Sequence, residues 1–214
     1  MERGRDANMG LFPLLIRSPF AFFLLVIPLL YSIIFHELAH GLVAYRMGDP
    51  TAKLMGRLSL NPLRHLDPIG TLLLFLFGFG WAKPVPINPF NFRNSRSGMV
   101  KVSAAGITAN VVIAFVALFV LQLFPAVSGT VALILYYVAQ INIMLAAFNL
   151  IPIPPLDGSK ILIGLLPARY EALLLRLEPY GFFIIVALLY LGILDPVIVF
   201  FRHLILFFIG LLLS

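Results

Sequence analysis

The apolar residues of this chain fall in long blocks separated by short, proline- and glycine-rich polar stretches. The block from Phe20 to Tyr45 is long enough to cross a bilayer. Ser18-Pro19 supplies an N-cap and a first-turn proline before it, Pro28 is a point where it can bend, and Gly48-Asp49-Pro50 ends it. Val102 to Phe124 and Thr130 to Leu150 are two further spans joined by the uncharged turn Pro125 to Gly129. Tyr180 to Leu194 and Val197 to Leu213 predict a closing helical hairpin that turns at Asp195-Pro196. Leu66 to Trp81 is shorter, is interrupted by Pro68, Gly70, Gly78 and Gly80, and has basic residues on both flanks. A full crossing would carry one basic flank to the outside, so a re-entrant or shallow segment is expected there. Ala82 to Ser97, with three prolines, reads as a loop with an extended edge segment. The predicted fold is an all-α polytopic membrane protein: a helical bundle of about five spans, a re-entrant or shallow segment, and a proline-broken active-site strand around Pro152, Pro154 and Pro155.

Composition sharpens this picture. With 61% hydrophobic and 11% charged residues and a mean hydropathy of +1.04 over 214 residues, the chain has too little polar surface for a soluble domain. No small-residue cleavage site follows the first apolar block, which is therefore read as a retained span. Cysteine is absent, which excludes disulfides, thiolate nucleophiles and Cys-bound zinc, so any metal must sit on His and carboxylate. Between Arg46 and Lys101 there are eight basic residues and two acids, while the remainder balances seven against seven. A basic excess on connecting segments marks the cytoplasmic side, which predicts a multi-pass protein of the cell membrane. The basic residues are dispersed among apolar and proline-rich sequence and do not form one polar face, so no nucleic-acid partner is expected.

The candidate chemistry lies near the end of the first span, in Phe35-His36-Glu37-Leu38-Ala39-His40-Gly41. On a helix, His36 and His40 are one turn and about 6 Å apart on one face, with Glu37 beside them. That is a two-point zinc clamp with a base at its shoulder. A carboxylate within a membrane-length helix costs about 3 kcal/mol on insertion scales, and a bound dication would compensate. His40 is six residues, about 9 Å, from Arg46, which places the site inside the membrane towards the cytoplasmic side. From Val102 through Leu156 the chain has no charge, and the next acid, Asp157, follows three prolines that forbid a continuous helix. Non-helical backbone at membrane depth requires a protein-lined or water-filled setting, which places Asp157 at the depth of the His pair. His36, His40 and Asp157 make a two-His, one-carboxylate set for one zinc ion per chain, with a position left open for water. Glu37 would take the proton from that water and pass it to a leaving amine, which is peptide hydrolysis. The substrate must unwind locally, because the carbonyls of an intact helix are hydrogen-bonded, and Gly or Pro in it would help.

The pairing of Phe35-His36-Glu37-Leu38-Ala39-His40-Gly41 with Asn149-Leu-Ile-Pro-Ile-Pro-Pro-Leu-Asp157-Gly158 resembles the site-2 protease family of intramembrane zinc metalloproteases. Gly56-Arg-Leu-Ser-Leu-Asn-Pro-Leu-Arg-His65-Leu-Asp67-Pro-Ile-Gly70-Thr and Gly80-Trp-Ala-Lys-Pro-Val-Pro86 are similar to its compact prokaryotic branch. The resemblance covers residues 18 to 165. It implies His36, His40 and Asp157 as ligands, Glu37 as base, Asn149 as a donor to the substrate carbonyl or oxyanion, and single-span membrane proteins in the lipid bilayer as substrates. Residues 1–17 are then an N-terminal segment, 18–165 the metalloprotease core and 166–214 a C-terminal helical hairpin. Ile107, in Gly106-Ile-Thr-Ala-Asn110, stands where the family often has proline, and leaves the role of Asn110 open.

Other polar residues have plainer readings. His65, beside Arg64 and Asp67, reads as a surface or interfacial residue, and His203 beside Arg202 likewise. Asp157 has the alternative of capping a helix that starts near Gly158. Asn110 and Asn142 read as interhelical hydrogen-bonding residues worth about 0.6 kcal/mol each. Serine-type and aspartyl intramembrane proteolysis lack their patterns, since Ser128-Gly129 follows Ala126-Val127 and Gly78-Phe79-Gly80 runs into Trp81. A metal transporter, or a non-catalytic substrate-binding membrane protein, is the competing class. Transport needs polar stepping points across the membrane, which the span pair from Val102 to Leu150 lacks, and a silent relative would have lost Glu37.

Overall fold

The computed structural model describes residues 11–78, 80–167 and 176–214; the polar terminus Met1 to Gly10, Phe79 and Arg169 lie outside them. Its described residues form helices and irregular connections. A short α1 (Leu11–Arg17) precedes α2 (Pro19–Arg46), whose 28 residues run without interruption through Pro28. Ser18 Oγ accepts a hydrogen bond from Ala21 N, as a capping serine should. After α3 (Thr51–Leu54) and α4 (Pro68–Phe77) come α5 (Ser95–Leu123), α6 (Gly129–Asn149), α7 (Asp157–Leu165), α8 (Gly181–Tyr190) and α9 (Asp195–Leu213). Among the described residues four helices, α2, α5, α6 and α9, are long and apolar enough to cross a membrane. The first half of the expected closing hairpin appears as α8, which at 10 residues is shorter than a crossing requires.

Helix α5 is the centre of the bundle and packs against α2, α6 and α7. Close approach comes from small residues: Ala114, Ala117, Ala139, Ala146 and Ala147 are all buried where these helices meet. Ile107 and Ile143 fill the seam between α5 and α6, and Ile205 and Ile209 of α9 close it from the side. Large side chains such as Phe20, Val116 and Phe207 stay exposed, as expected of a surface that faces lipid. The polar turn Ser95 to Lys101 extends α5 beyond its apolar block, so the helix starts at Ser95 and not at Val102. Asn94 caps it by accepting from Ser97 N at 2.9 Å.

The segment between α3 and α5 folds back on the end of α2. Leu66 pairs antiparallel with Ala82, and Lys83 N donates to His65 O, so the two ends of the α4 segment lie side by side. This is the geometry of a segment that enters and returns. The expected active-site strand, by contrast, is not formed. Ile151 to Leu156 makes a series of tight turns, with Ile153 N on Ile151 O and Leu156 N on Ile153 O, because its prolines cannot donate to a ladder. His65 is likewise corrected from a surface residue to a buried one, with Nε2 2.7 Å from Ser59 O.

Asp49, fully buried at the end of α2, fastens this assembly. One carboxylate oxygen accepts from Asn88 N and the other from Asn91 Nδ2, both at 2.7 Å, and Thr51 donates through its N–H and its hydroxyl. Burial alone would raise the Asp49 pKa, but the hydrogen bonds, led by that of the Thr51 side chain, outweigh it and hold the carboxyl below its ordinary range. A carboxyl depressed in the folded state stabilises the fold above its unfolded pKa of about 4, and this contribution is lost as pH falls through the lower folded value. Thermal unfolding in detergent should therefore show a fall in melting temperature below about pH 4 that Asp49→Asn diminishes. At neutral pH Asp49→Ala should be destabilised by about 2 kcal/mol, because buried donors are left unpaired.

Candidate metal centre

The heptapeptide around His36 lies deep in α2, and the i, i+4 spacing puts both imidazoles on the face that meets α5. The rings stand edge to face with centroids 4.5 Å apart. Asp157 is the first residue of α7, with Leu156 in the capping position, so its carboxylate is not spent on the helix start. It points instead at the histidines: Oδ2 is 3.2 Å from His36 Nε2 and 3.1 Å from His40 Nε2, and the two Nε2 atoms are 3.0 Å apart. All three residues are buried. Among the described residues they form the one cluster of His and acid side chains able to hold a metal ion.

The outer ring atoms are also engaged. His40 Nδ1 lies 2.7 Å from Val102 O and His36 Nδ1 lies 2.6 Å from Asn110 Oδ1. Carbonyl oxygens only accept, so each Nδ1 carries the proton and each Nε2 presents a lone pair. Two lone pairs and a carboxylate oxygen thus converge in a buried site, and Asp157 Oδ2 has no hydrogen-bond donor. Such a triangle is repulsive unless a cation sits against it. Its edges are close to the roughly 3.3 Å that a tetrahedral zinc with ligands at about 2.0 Å would impose, so the residues fit zinc by donor chemistry and by spacing.

Gly106 makes this approach possible. A Cβ there would stand 2.5 Å from His40 Cε1 and Nε2 and 2.6 Å from His36 Cε1. Side chains lean towards the helix N-terminus, so any residue at 106 would also cover the Val102 carbonyl that His40 uses. Val102, Gly106 and Asn110 are spaced four apart and form the stripe of α5 that receives the His pair.

Glu37 is partly buried, and its Oε2 accepts from Val85 N at 2.7 Å. Gly41 lets the Val85 segment come this close, since a Cβ at 41 would stand 3.1 Å from Val85 Cγ1 and 2.5 Å from Leu58 Cδ2. Asn149, the last residue of α6, turns its Nδ2 back to Leu145 O at 3.0 Å. Of the residues expected from sequence, then, His36, His40 and Asp157 meet, Glu37 lies beside them in α2, and Asn149 is engaged with its own helix. The contributions of Gly106, Val85 and the Val102 carbonyl went unread. The signal for the first was available, because Gly106 and Asn110 lie one turn apart in a charge-free span.

A bundle of membrane-length helices enclosing a His, His, Asp site defines a multi-pass membrane zinc metalloprotease. The comparisons agree: a model of peptidase family M50 matches residues 124–192. YwhC of Bacillus subtilis (strain 168), which carries a provisional zinc-metalloprotease name, is 43% identical over 172 residues, covering 77% of this chain and 78% of the relative. Rip2 of Mycolicibacterium smegmatis, also provisionally named so, is 30% identical over 179 residues, covering 78% and 67%. Zinc metalloprotease MJ0392 of Methanocaldococcus jannaschii is 31% identical over 146 residues, covering 68% of this chain and 35% of its own length. The chain belongs to peptidase family M50, the site-2 proteases. No solved structure matches it.

Gly106→Val should lower zinc content well below one per chain while the helical circular dichroism is retained. A full complement of zinc in that variant would show that the close approach of α5 is dispensable.

Proposed function

We propose that this enzyme cleaves peptide bonds within or next to the membrane-spanning segments of single-span membrane proteins. In this reading His36, His40 and Asp157 hold the zinc and Glu37 is the general base. The observation that carries it is the convergence of three lone-pair-bearing atoms, 3.0 to 3.2 Å apart and buried between membrane-length helices, with a carboxylate one residue from the first of them. Zinc in this site would polarise the scissile carbonyl and lower the pKa of water to make a nucleophile near neutral pH.

The protein's own groups supply the rest. The Val85 N–H holds one oxygen of Glu37 and leaves the other to accept a proton and later return it to the departing amine. Anchoring one oxygen fixes the carboxylate rotamer, which keeps the base oriented during proton transfer. The substrate backbone must be unwound at the scissile bond, so Gly or Pro near the cleavage point favours turnover. Asn149 would serve as a donor to the substrate carbonyl only by giving up its bond to Leu145 O. The basic surplus between Arg46 and Lys101 supports placing the Asp49 end of α2, and with it the near side of the site, at the cytoplasmic face of the cell membrane. Residues 18–165 contain every group this reading uses, and α9 beyond them packs against α6.

Glu37→Gln should retain one zinc per chain, while kcat/KM for cleavage of a single-span substrate in detergent falls by about 10²- to 10⁴-fold. His36→Ala and Asp157→Ala should lose both metal and cleavage. Proteolysis at the wild-type rate in Glu37→Gln would remove the general-base assignment.

A further inference from the structure

Three fully or almost fully buried polar side chains lie behind His36: Asn110 on α5, Asn142 on α6 and Ser32, one turn before His36 on α2. Each has an energetic reason to be satisfied, because unpaired amides in an apolar bundle are costly. Their hydrogen bonds run in a single direction. Asn142 Nδ2 donates to the main-chain carbonyl of Val138 at 2.8 Å and to Ser32 Oγ at 2.7 Å. A carbonyl accepts only, so the amide of Asn142 has one permitted orientation, with Oδ1 facing Asn110. Asn110 Nδ2 donates to that oxygen at 2.7 Å and also faces Ser32 O at 3.5 Å. The amide of Asn110 is thereby oriented in turn, and its own Oδ1 faces His36 Nδ1 at 2.6 Å.

We infer that Asn142, acting through Asn110, is a positioning residue that fixes His36 in the tautomer whose Nε2 lone pair faces Asp157 and His40. The direction starts at a helix carbonyl and passes through two amides to the imidazole. Each amide exchanges a donor at one end for an acceptor at the other. Were either amide turned over, an NH₂ group would face His36 Nδ1, the ring proton would move to Nε2, and the lone pair would be withdrawn from the metal position. His40 needs no such relay, since its Nδ1 meets the Val102 carbonyl directly. The two ligands of one motif are thus oriented by different means, one by the backbone of α5 and one by a side-chain chain that spans α2, α5 and α6. Outer partners of metal-bound histidines are worth about 10- to 100-fold in metal affinity.

The inference rests on the reading that His36, His40 and Asp157 hold zinc, and the experiment separates the two. Zinc affinity of the full chain in detergent is measured by competition with a fluorescent chelator for the wild type and for Asn142→Leu, Asn142→Asp, Asn110→Leu and Asn110→Asp. An acid buried at either position is held neutral, and its carboxyl then pairs one acceptor with one donor as the amide does, whereas Leu removes both. Both Leu variants should bind zinc about 10- to 100-fold more weakly, with both Asp variants within about threefold of wild type. A packing role alone predicts the opposite order, since a buried acid disturbs an apolar bundle more than leucine does. Equal affinities for Leu and wild type, or Asp variants weaker than Leu, would overturn the relay. Wild-type protein that binds no zinc would overturn the ligand assignment instead. Independently of folding in any variant, nitrogen-15 spectra of histidine-labelled, zinc-loaded wild type should show His36 protonated on Nδ1. A His36 protonated on Nε2 would refute the inference.

Discussion

Three lone-pair-bearing atoms drawn from residues 36, 40 and 157, with no donor on the Asp157 oxygen, are forced together in a buried site with little dielectric relief. That convergence is unfavourable on its own, and much of the surrounding structure serves to hold it. Asp157 reaches the histidines because the prolines of Ile151 to Pro155 turn the chain and start α7 at the acid itself. The histidines face it because α5 approaches α2 without a side chain at position 106. A zinc ion held by these three residues, as proposed, would turn that repulsion into attraction.

A second constraint concerns Glu37. The helix that carries the His pair also carries Glu37, Asp49 follows just beyond its last turn, and both carboxylates accept main-chain N–H groups of the segment that returns from α4, at Val85 and Asn88. One irregular stretch is thus tied to α2 at two points, with Gly41 between them allowing contact. The carboxylates do different work despite this likeness. Asp49, with four hydrogen bonds, is an anchor, while Glu37 accepts one main-chain N–H, which leaves its other oxygen for the proton transfer proposed above.

Much of this was legible in the sequence because its signals are local or compositional. Long apolar blocks give spans, and the His36 to His40 spacing gives a shared helix face. Asp157 stands out as the first charge after a long neutral stretch. What escaped has non-local causes. Asn110 and Asn142 were recognisable as interhelical partners, but whether their network ends on His36 depends on how α5 rotates about its axis. His65 looked superficial among charged neighbours, yet Leu66 pairing with Ala82 folds it inward. The break around the prolines was expected as a strand, since sequence shows where a helix must stop and not what replaces it. The second hydrophobic block gave the apolar part of α5 and missed its polar first two turns, which Asn94 caps.

The central claim is that one zinc ion is bound by two imidazoles of α2 and a carboxylate from the start of α7. Zinc K-edge X-ray absorption of the purified protein tests this most directly. The account predicts two imidazole nitrogens and a carboxylate oxygen at about 2.0 to 2.1 Å, with the oxygen shell changed and the imidazole shell kept or the metal lost in Asp157→Ala. A wild-type spectrum with no imidazole shell, or one that Asp157→Ala leaves unaltered, would contradict it.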